Sequence, residues 1–373
     1  MSRLITAERT RHSAPPRPPR AVRRAAAGTL AGVSESATPP LSERLNAAPP
    51  VQPQHPDVVF RPATVDDIDA VHAAVAASDR VDHPTWVTPR EEIADIFELS
   101  HVDAARDTLL AIAPDGAVVA MGWAMVHPTQ DAELHAYLQG TVHPDWRRKG
   151  IGTELIGWLY ARAIELLADT GSTAEAAIYQ YVDEGNTDAA TLGERLGLRT
   201  ERWFTSMQRD LADPIEEPPA ADGVELIAYT ADRSGAVLAA RNDAFRDHWG
   251  SLPSTPERWG QFVDGPFLRP DLSTLALVDG RVVAFCMASV NEEDWAALGA
   301  PNTYIDLIGV VRDSRGRGLA PAVIARTLQA AKAAGLEQAV LDVDTASKTG
   351  ANRLYERLGF RPTQRQQALV RRF

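Results

Sequence analysis

The chain has 373 residues, carries 38 Lys and Arg against 50 Asp and Glu for a formal charge of −12, and is 45% apolar. This length and apolar share predict two domains with real cores, and no apolar run reaches the roughly 18 residues of a membrane-spanning helix. The one cysteine, Cys286, excludes an internal disulfide and any multi-cysteine zinc site, and the net acidity argues against a general nucleic-acid surface, which needs clustered Lys and Arg.

The chain starts with an Arg- and Pro-rich stretch. Residues 1–56 hold eight arginines and three acids, so the remaining 317 residues carry −17. Proline pairs at 15–16, 18–19, 39–40 and 49–50 and few large apolar residues predict a disordered tail, because little burial offsets the entropy of ordering. Arg23-Arg24 ahead of an apolar stretch leaves an export or transit signal as the alternative.

Two copies of one unit follow. The first opens with a strand at 58–61 and helical spacing at 66–78 and 89–99. Then come a hairpin around Asp115-Gly116, a strand ending at Val142, a basic glycine loop, a helix to 167, a strand at 175–181 and a short helix ending in ERLG at 194–197. The second copy repeats the order: a strand at 224–229, helices at 235–245 and 256–263, and a hairpin around Asp279-Gly280. A strand, a basic glycine loop, a helix to 334, a strand at 338–343 and ERLG at 356–359 complete it. The turns are 164 residues apart, the basic loops 168 and the ERLG segments 162. A nearly constant offset marks an internal repeat. The organisation read from this is a tail at 1–56, domains at 57–212 and 222–373, and an acidic, Pro-rich linker at 213–221. A meander that then crosses over through a helix predicts an α/β fold, a mixed sheet with helices on both faces.

The basic loops are Arg147-Arg148-Lys149-Gly150-Ile151-Gly152 and Arg315-Gly316-Arg317-Gly318-Leu319-Ala320. A glycine turn from strand to helix aims several backbone N–H groups at one point, and the helix dipole adds about half a positive charge there. Glycines let a phosphate approach closely, so each loop is a candidate pyrophosphate cradle. Neither copy carries the three glycines of a dinucleotide fold or the Lys-Ser/Thr of a P-loop. Both carry R-x-x-G-x-G/A after a strand ending in valine.

That pattern resembles motif A of the GCN5-related N-acetyltransferases, the GNAT superfamily. The resemblance covers about residues 57–373 in two copies and extends to TGANRLYERLGF at 349–360, similar to the family's short helix before its last strands. The tandem layout resembles actinobacterial double-domain acetyltransferases. The resemblance implies two GNAT domains, each with a cleft between splayed strands, and acetyl-CoA as co-substrate. Its pantetheine would lie along Ile308, Gly309 and Val310, and its pyrophosphate on Arg315 to Ala320. The corresponding residues of the first copy run from Gly140 through Thr141 to Val142, and from Arg147 to Gly152.

The copies differ where the chemistry would be. In this family a tyrosine on the short helix often protonates the departing thiolate. Tyr355 stands there in the second copy and Gly193 in the first. Asp306, an acid amid apolar strand residues, is the candidate general base, with a solvent-facing acid as the alternative. Asp247, His248 and Trp249 are candidate acceptor-binding residues, with a His-stabilised helix end as the alternative. No metal is expected, since no histidine has metal-ligand spacing. The function expected is acetyl-CoA-dependent N-acetylation of a small-molecule amine in the second copy. The alternative is a non-catalytic acetyl-CoA-binding or scaffold protein. The chain is expected to be cytoplasmic, monomeric or homodimeric, without nucleic-acid or membrane partners.

Overall fold

The computed structural model describes residues 38–373 apart from Pro84, 130–132, 219–221, Asp247 and 348–349. The expectations for residues 1–37 and for Asp247 lie outside these residues.

The first half runs α1 (Leu41–Arg44), β1 (Val59–Arg61), α2 (Ile68–Asp82), α3 (Arg90–Glu98), α4 (Ala104–Asp107), β2 (Thr108–Ile112), β3 (Val118–Val126) and β4 (Glu133–Val142). It ends with α5 (Ile151–Asp169), β5 (Glu175–Asp183), α6 (Thr187–Arg195) and β6 (Arg199–Asp210). The second half runs β7 (Glu225–Ala228), α7 (Ser234–Ala244), α8 (Pro256–Asp264), β8 (Thr274–Val278), β9 (Arg281–Ser289), α9 (Glu293–Leu298) and β10 (Asn302–Val310). It ends with α10 (Leu319–Ala333), β11 (Gln338–Asp344), α11 (Ala351–Arg357) and β12 (Arg361–Arg372). The repeat is therefore realised in order, with α1 and α4 added in the first half and α9 in the second among the described residues. Both hairpin turns place glycine at positive φ, +88° at Gly116 and +76° at Gly280, the backbone region that tight turns need and glycine enters freely.

All twelve strands form one sheet, ordered β1-β2-β3-β4-β5-β12-β6-β11-β10-β9-β8-β7. The last strand of each half crosses to the other. β12 pairs antiparallel with β5, from Gln366 opposite Asp183 to Arg372 opposite Ala177. β6 pairs antiparallel with β11, from Asp210 opposite Gln338 to Phe204 opposite Asp344. The boundary expected between 212 and 222 therefore does not separate a pair of self-contained sheets. Each half is completed by the other's final strand.

Residues 38–56 correct the expected tail. Leu41 is 0% exposed, and with Leu45 it belongs to the apolar cluster that buries Ile151, Leu155 and Leu159 of α5. Two leucines spaced i, i+4 on a single turn suffice to dock this otherwise polar stretch. The acidic segment 291–295 runs into α9. There Asp294 is buried and accepts the N–H of Val87, 2.8 Å away in the first half. Among the described residues no helix is long and apolar enough to cross a membrane.

Candidate active site

In each half the parallel strand pair diverges before its end. β4 and β5 pair from Glu133–Glu175 to Leu138–Gln180 and no further. β10 and β11 pair only from Asn302–Gln338 to Tyr304–Val340. In the first half a cavity of about 560 Å³ opens there, lined along its length by Gly140, Thr141, Gly150, Gly152, Gln180 and Asn186. In the second half a smaller cavity, about 60 Å³, lies on Tyr304, Val340 and Asp342 and is walled by Thr85 and Trp86 of the first half.

Both basic loops are glycine turns that lead from a strand into a helix. Gly150 and Gly318 are the N-caps of α5 and α10, at φ +97° and +72°, and neither helix has a side-chain cap. Unpaired first-turn N–H groups are what an anion takes up. A Cβ on Gly318 would meet nothing within 4 Å, and one on Gly150 only His55, so the approach to both turns is open. Arg148 holds the place of Gly316 at φ +63°, a strained conformation for a side-chain-bearing residue.

The leading arginines are placed differently from the expectation. Arg147 binds Asp82 through both Nη atoms, at 2.9 and 2.7 Å, and Ser78 at 2.7 Å, while its Nε donates to Val142 O at 3.0 Å. Arg315 donates to Ala244 O at 2.8 Å and to Val310 O at 3.4 Å. Each ties its loop to the C-terminal end of the half's first long helix. Asp82 sets a carboxylate against the Arg147 guanidinium. Arg148 pairs with Asp188 at the surface, and Lys149 lies 4.2 Å above the Trp146 ring.

Asp306 sits on β10, inside the sheet rather than at an edge. It is the extra residue of a β-bulge: Ile305 faces Ala288 and Leu307 faces Met287, with Asp306 between them. In the first half Leu138 faces Ala124 and Gln139 faces Trp123 without a break. The partner residues keep the hairpins' 164-residue offset, so Asp306 has no counterpart. A bulge ends regular pairing and re-aims a side chain. Tyr304, just before it, donates to Asp342 Oδ2 at 2.7 Å.

Tyr355 is 8% exposed and meets Phe360 edge-on, with ring centroids 6.1 Å apart. It shares an apolar cluster with Cys286. Burial pushes the phenol up from its ordinary value and the Cys286 thiol up to about 12. Cys286 is thus a core residue, as its apolar strand predicts. Gly309 packs flush on Phe285, whose ring stands 2.2 Å from where a Cβ would be.

The first half fills the tyrosine's place otherwise. A Cβ on Gly193 would fall 2.3 Å from Gln180 Oε1. Gln180 is 9% exposed, lines the large cavity, and its Oε1 has no hydrogen-bond donor among the described residues. An orphaned buried acceptor costs about 1–3 kcal/mol, which a ligand N–H would relieve. Sequence reasoning passed over Gln180. The signal was a lone amide in the apolar strand EAAIYQYVD, opposite a helix that carries glycine where its twin carries tyrosine. Nearby, His83 pairs with Asp183 at 2.8 Å and stacks on Trp86 with ring centroids 4.6 Å apart. Burial opposes the His83 charge, but the Asp183 carboxylate outweighs it and raises the imidazole.

Trp249 lies against the other half. It packs on Tyr179 and Phe204, at centroid distances of 5.9 and 6.3 Å, against the first half's core. His248 stacks on Phe245 at 4.6 Å, beside the end of α7. Among the described residues no group of three or more His, Cys, Asp or Glu is arranged to hold a metal.

Comparison with known proteins agrees with this geometry. The model of the acetyltransferase (GNAT) domain matches residues 57–199, and that of the acetyltransferase (GNAT) family matches 236–360. The exchanged strands lie almost wholly outside both matches. A mycothiol acetyltransferase of Salinispora arenicola is 30% identical over 321 residues, 77% of this chain and 94% of its own. One from Streptomyces griseus is 31% identical over 262 residues, 70% and 78% of the two chains. Among solved structures, a GCN5-related N-acetyltransferase of Sphaerobacter thermophilus superposes with a TM-score of 0.62 at 26% identity, covering 86% of this chain and 97% of that one. A tandem GNAT protein of the clavulanic acid biosynthesis pathway shares the fold, with a TM-score of 0.61 at 16% identity over 85% and 98% of the chains. The chain belongs to the GNAT family as a tandem-domain member resembling mycothiol synthase in layout, and it is an N-acetyltransferase.

Proposed function

We propose that the second half transfers the acetyl group of acetyl-CoA to the amine of a small molecule, and that the first half holds acetyl-CoA without turning it over. The observation that carries this reading is the pairing of the Asp306 bulge with Tyr355, both lacking in the first half. Acyl transfer needs a neutral amine and a proton for the leaving thiolate. Asp306 takes the ammonium proton, through a water. The amine nitrogen attacks the thioester carbonyl, the C–N bond forms and the C–S bond breaks. Tyr355 gives its proton to the sulfur. Burial holds its phenol protonated across the ordinary working range, as a proton donor requires. Gly309 to Val310 and the loop Arg315, Gly316, Arg317, Gly318, Leu319 and Ala320 hold the coenzyme's arm and diphosphate. In the first half Thr141, Val142 and residues 147–152 do the same, and Gln180, which has no acid to give, replaces the donor.

The relatives named for mycothiol support an acceptor of that kind, the amine that becomes mycothiol on acetylation, met in the cytoplasm. The test is mass-spectrometric detection of acetylated product from acetyl-CoA and a panel of amines including that one. Product with that amine in the wild type, and none in Tyr355→Phe, supports the reading. Binding of acetyl-CoA with no product from any amine favours a scaffold.

A further inference from the structure

We propose that residues 41–55 brace the first half's cofactor cleft, and that His55 directs the Gly150 N–H toward the diphosphate of coenzyme A. The proposal rests on the reading that this cleft takes the coenzyme.

The segment follows α5 from one end to the other. Beyond the helix's C-terminal end, Leu41 N–H donates to Ser172 O at 2.7 Å and Arg44 binds the carbonyls of Thr173 and Ala174. Leu41 and Leu45 are buried in the cluster that contains the apolar face of α5. Further on, Gln52 donates to Phe60 O at 2.7 Å. At the N-terminal end of α5, His55 Nε2 stands 2.8 Å from Lys149 O. His55 Nδ1 accepts the Asp57 N–H at 3.2 Å, so Nε2 carries the ring proton and donates to that carbonyl.

The consequence lies in the peptide plane. A trans peptide points its C=O and its N–H in opposite directions, and the described residues contain no cis bond. Drawing Lys149 C=O toward His55 turns the Gly150 N–H the other way. Among the described residues nothing accepts that N–H, and Gly150 lines the 560 Å³ cavity. A second, independent feature of the same cavity points to a ligand: the buried Gln180 Oε1 that lacks a donor. One donor at the mouth and one acceptor along the wall suit a molecule with an anionic end and an amide N–H in its arm. The matching carbonyl of the second half, that of Arg317, is held by no side chain among the described residues.

The experiment is calorimetric titration of the full chain with coenzyme A and, separately, with acetyl-pantetheine, which lacks the diphosphate. Wild type should take two coenzyme A molecules, one of them lost in Gly150→Glu. His55→Ala should weaken that same site roughly tenfold for coenzyme A, the scale of one hydrogen bond to a charged group, and leave acetyl-pantetheine unaffected. His55→Gln, whose amide can still donate to Lys149 O, should recover most of the loss. Undiminished coenzyme A affinity in His55→Ala overturns the proposal. So does an equal loss for both probes, which would mean general loosening. A wild type that takes one coenzyme A, and keeps it in Gly150→Glu, overturns the reading of the first cleft and the proposal with it.

Discussion

β4 and β10 hold the same place in the two halves, and β10 has a break in register against its hairpin partner that β4 lacks. β4 runs against β3 without a break, and six residues of it pair with β5 before the strands diverge. β10 carries Asp306 as an extra residue against β9 and pairs with β11 over three. A carboxylate inserted by a bulge appears in the half that also has Tyr355. The half without the bulge has Gly193, an orphaned Gln180 oxygen and a cavity of about 560 Å³. The acid and the tyrosine on which the proposed chemistry rests therefore fall in the same half. A roomy cradle argues for holding a coenzyme, whereas an acid and a proton donor argue for using it.

The sharpest way to break this comparison is Tyr355→Phe. The ring and its contact with Phe360 survive, so the protein should fold. General acid catalysis is worth about 10²–10⁴-fold, so kcat should fall by that factor with little change in acetyl-CoA affinity. Burial also lifts the phenol above its ordinary range. The high-pH limb of the wild-type rate profile should consequently not report this group, and Tyr355→Phe should leave the limb's position unmoved. An unaltered kcat removes Tyr355 from the mechanism.

A second variant tests the docked segment. Leu41→Ala should destabilise the fold by about 2–5 kcal/mol, the usual range for a fully buried leucine, measured by denaturant unfolding. A loss below about 0.5 kcal/mol would be that of a surface site and would return residues 41–55 to a free tail.

The glycines sharpen the comparison further. Gly309→Ala drives a methyl into the buried Phe285 ring, whereas Gly193→Ala meets the end of the Gln180 side chain, which can swing. Overpacking costs about 1–3 kcal/mol, and Gly309→Ala should lie at the top of that range with Gly193→Ala at or below its foot. The reverse order in thermal melts would mean that Phe285 yields and Gln180 does not.

The smallest effect is one of pH. In the first half Arg61 grips Asp67 at 2.6 and 2.7 Å, and Asp67 closes a capping box with Thr64. The second half has Arg233 at the matching place after Thr230. The Arg61 hydrogen bonds, against some burial, hold Asp67 down at about 2 instead of its ordinary 3.8. A folded-state value below the unfolded one stabilises at pH above the unfolded value, and that stability is lost as pH falls through the folded one. Asp67→Asn should therefore be less stable than wild type at pH 7, with the gap closing between about pH 4 and pH 2. A gap unchanged down to pH 2 would contradict the assignment.

Much of this was legible in the chain. The two Asp-Gly turns, the basic loops and the ERLG segments fall where the repeat predicts, because local chemistry dictates them: positive φ at glycine, N-caps without side chains, apolar spacing. The exchange of β6 and β12 was not legible. Alternating residues define a strand's faces but not its neighbour, and the register that joins β6 to β11 and β12 to β5 is set by the fold. Nor was the docking of Leu41, since two apolar residues in a Pro-rich stretch are no periodic signal. Arg147 was read as facing phosphate because Asp82, 65 positions away, comes within its reach only through the fold. The candidate acid and base were identified by residue type, but the bulge that sets Asp306 apart emerges only from the pairing register.

The most direct test of the division between the halves is a steady-state comparison of Gly150→Glu with Gly318→Glu in the full chain, with acetyl-CoA saturating and folding checked by circular dichroism. Each places a carboxylate in one cradle. The account predicts that Gly318→Glu abolishes turnover while Gly150→Glu keeps most of it. An active Gly318→Glu beside a folded but dead Gly150→Glu would contradict it and move the chemistry to the first half.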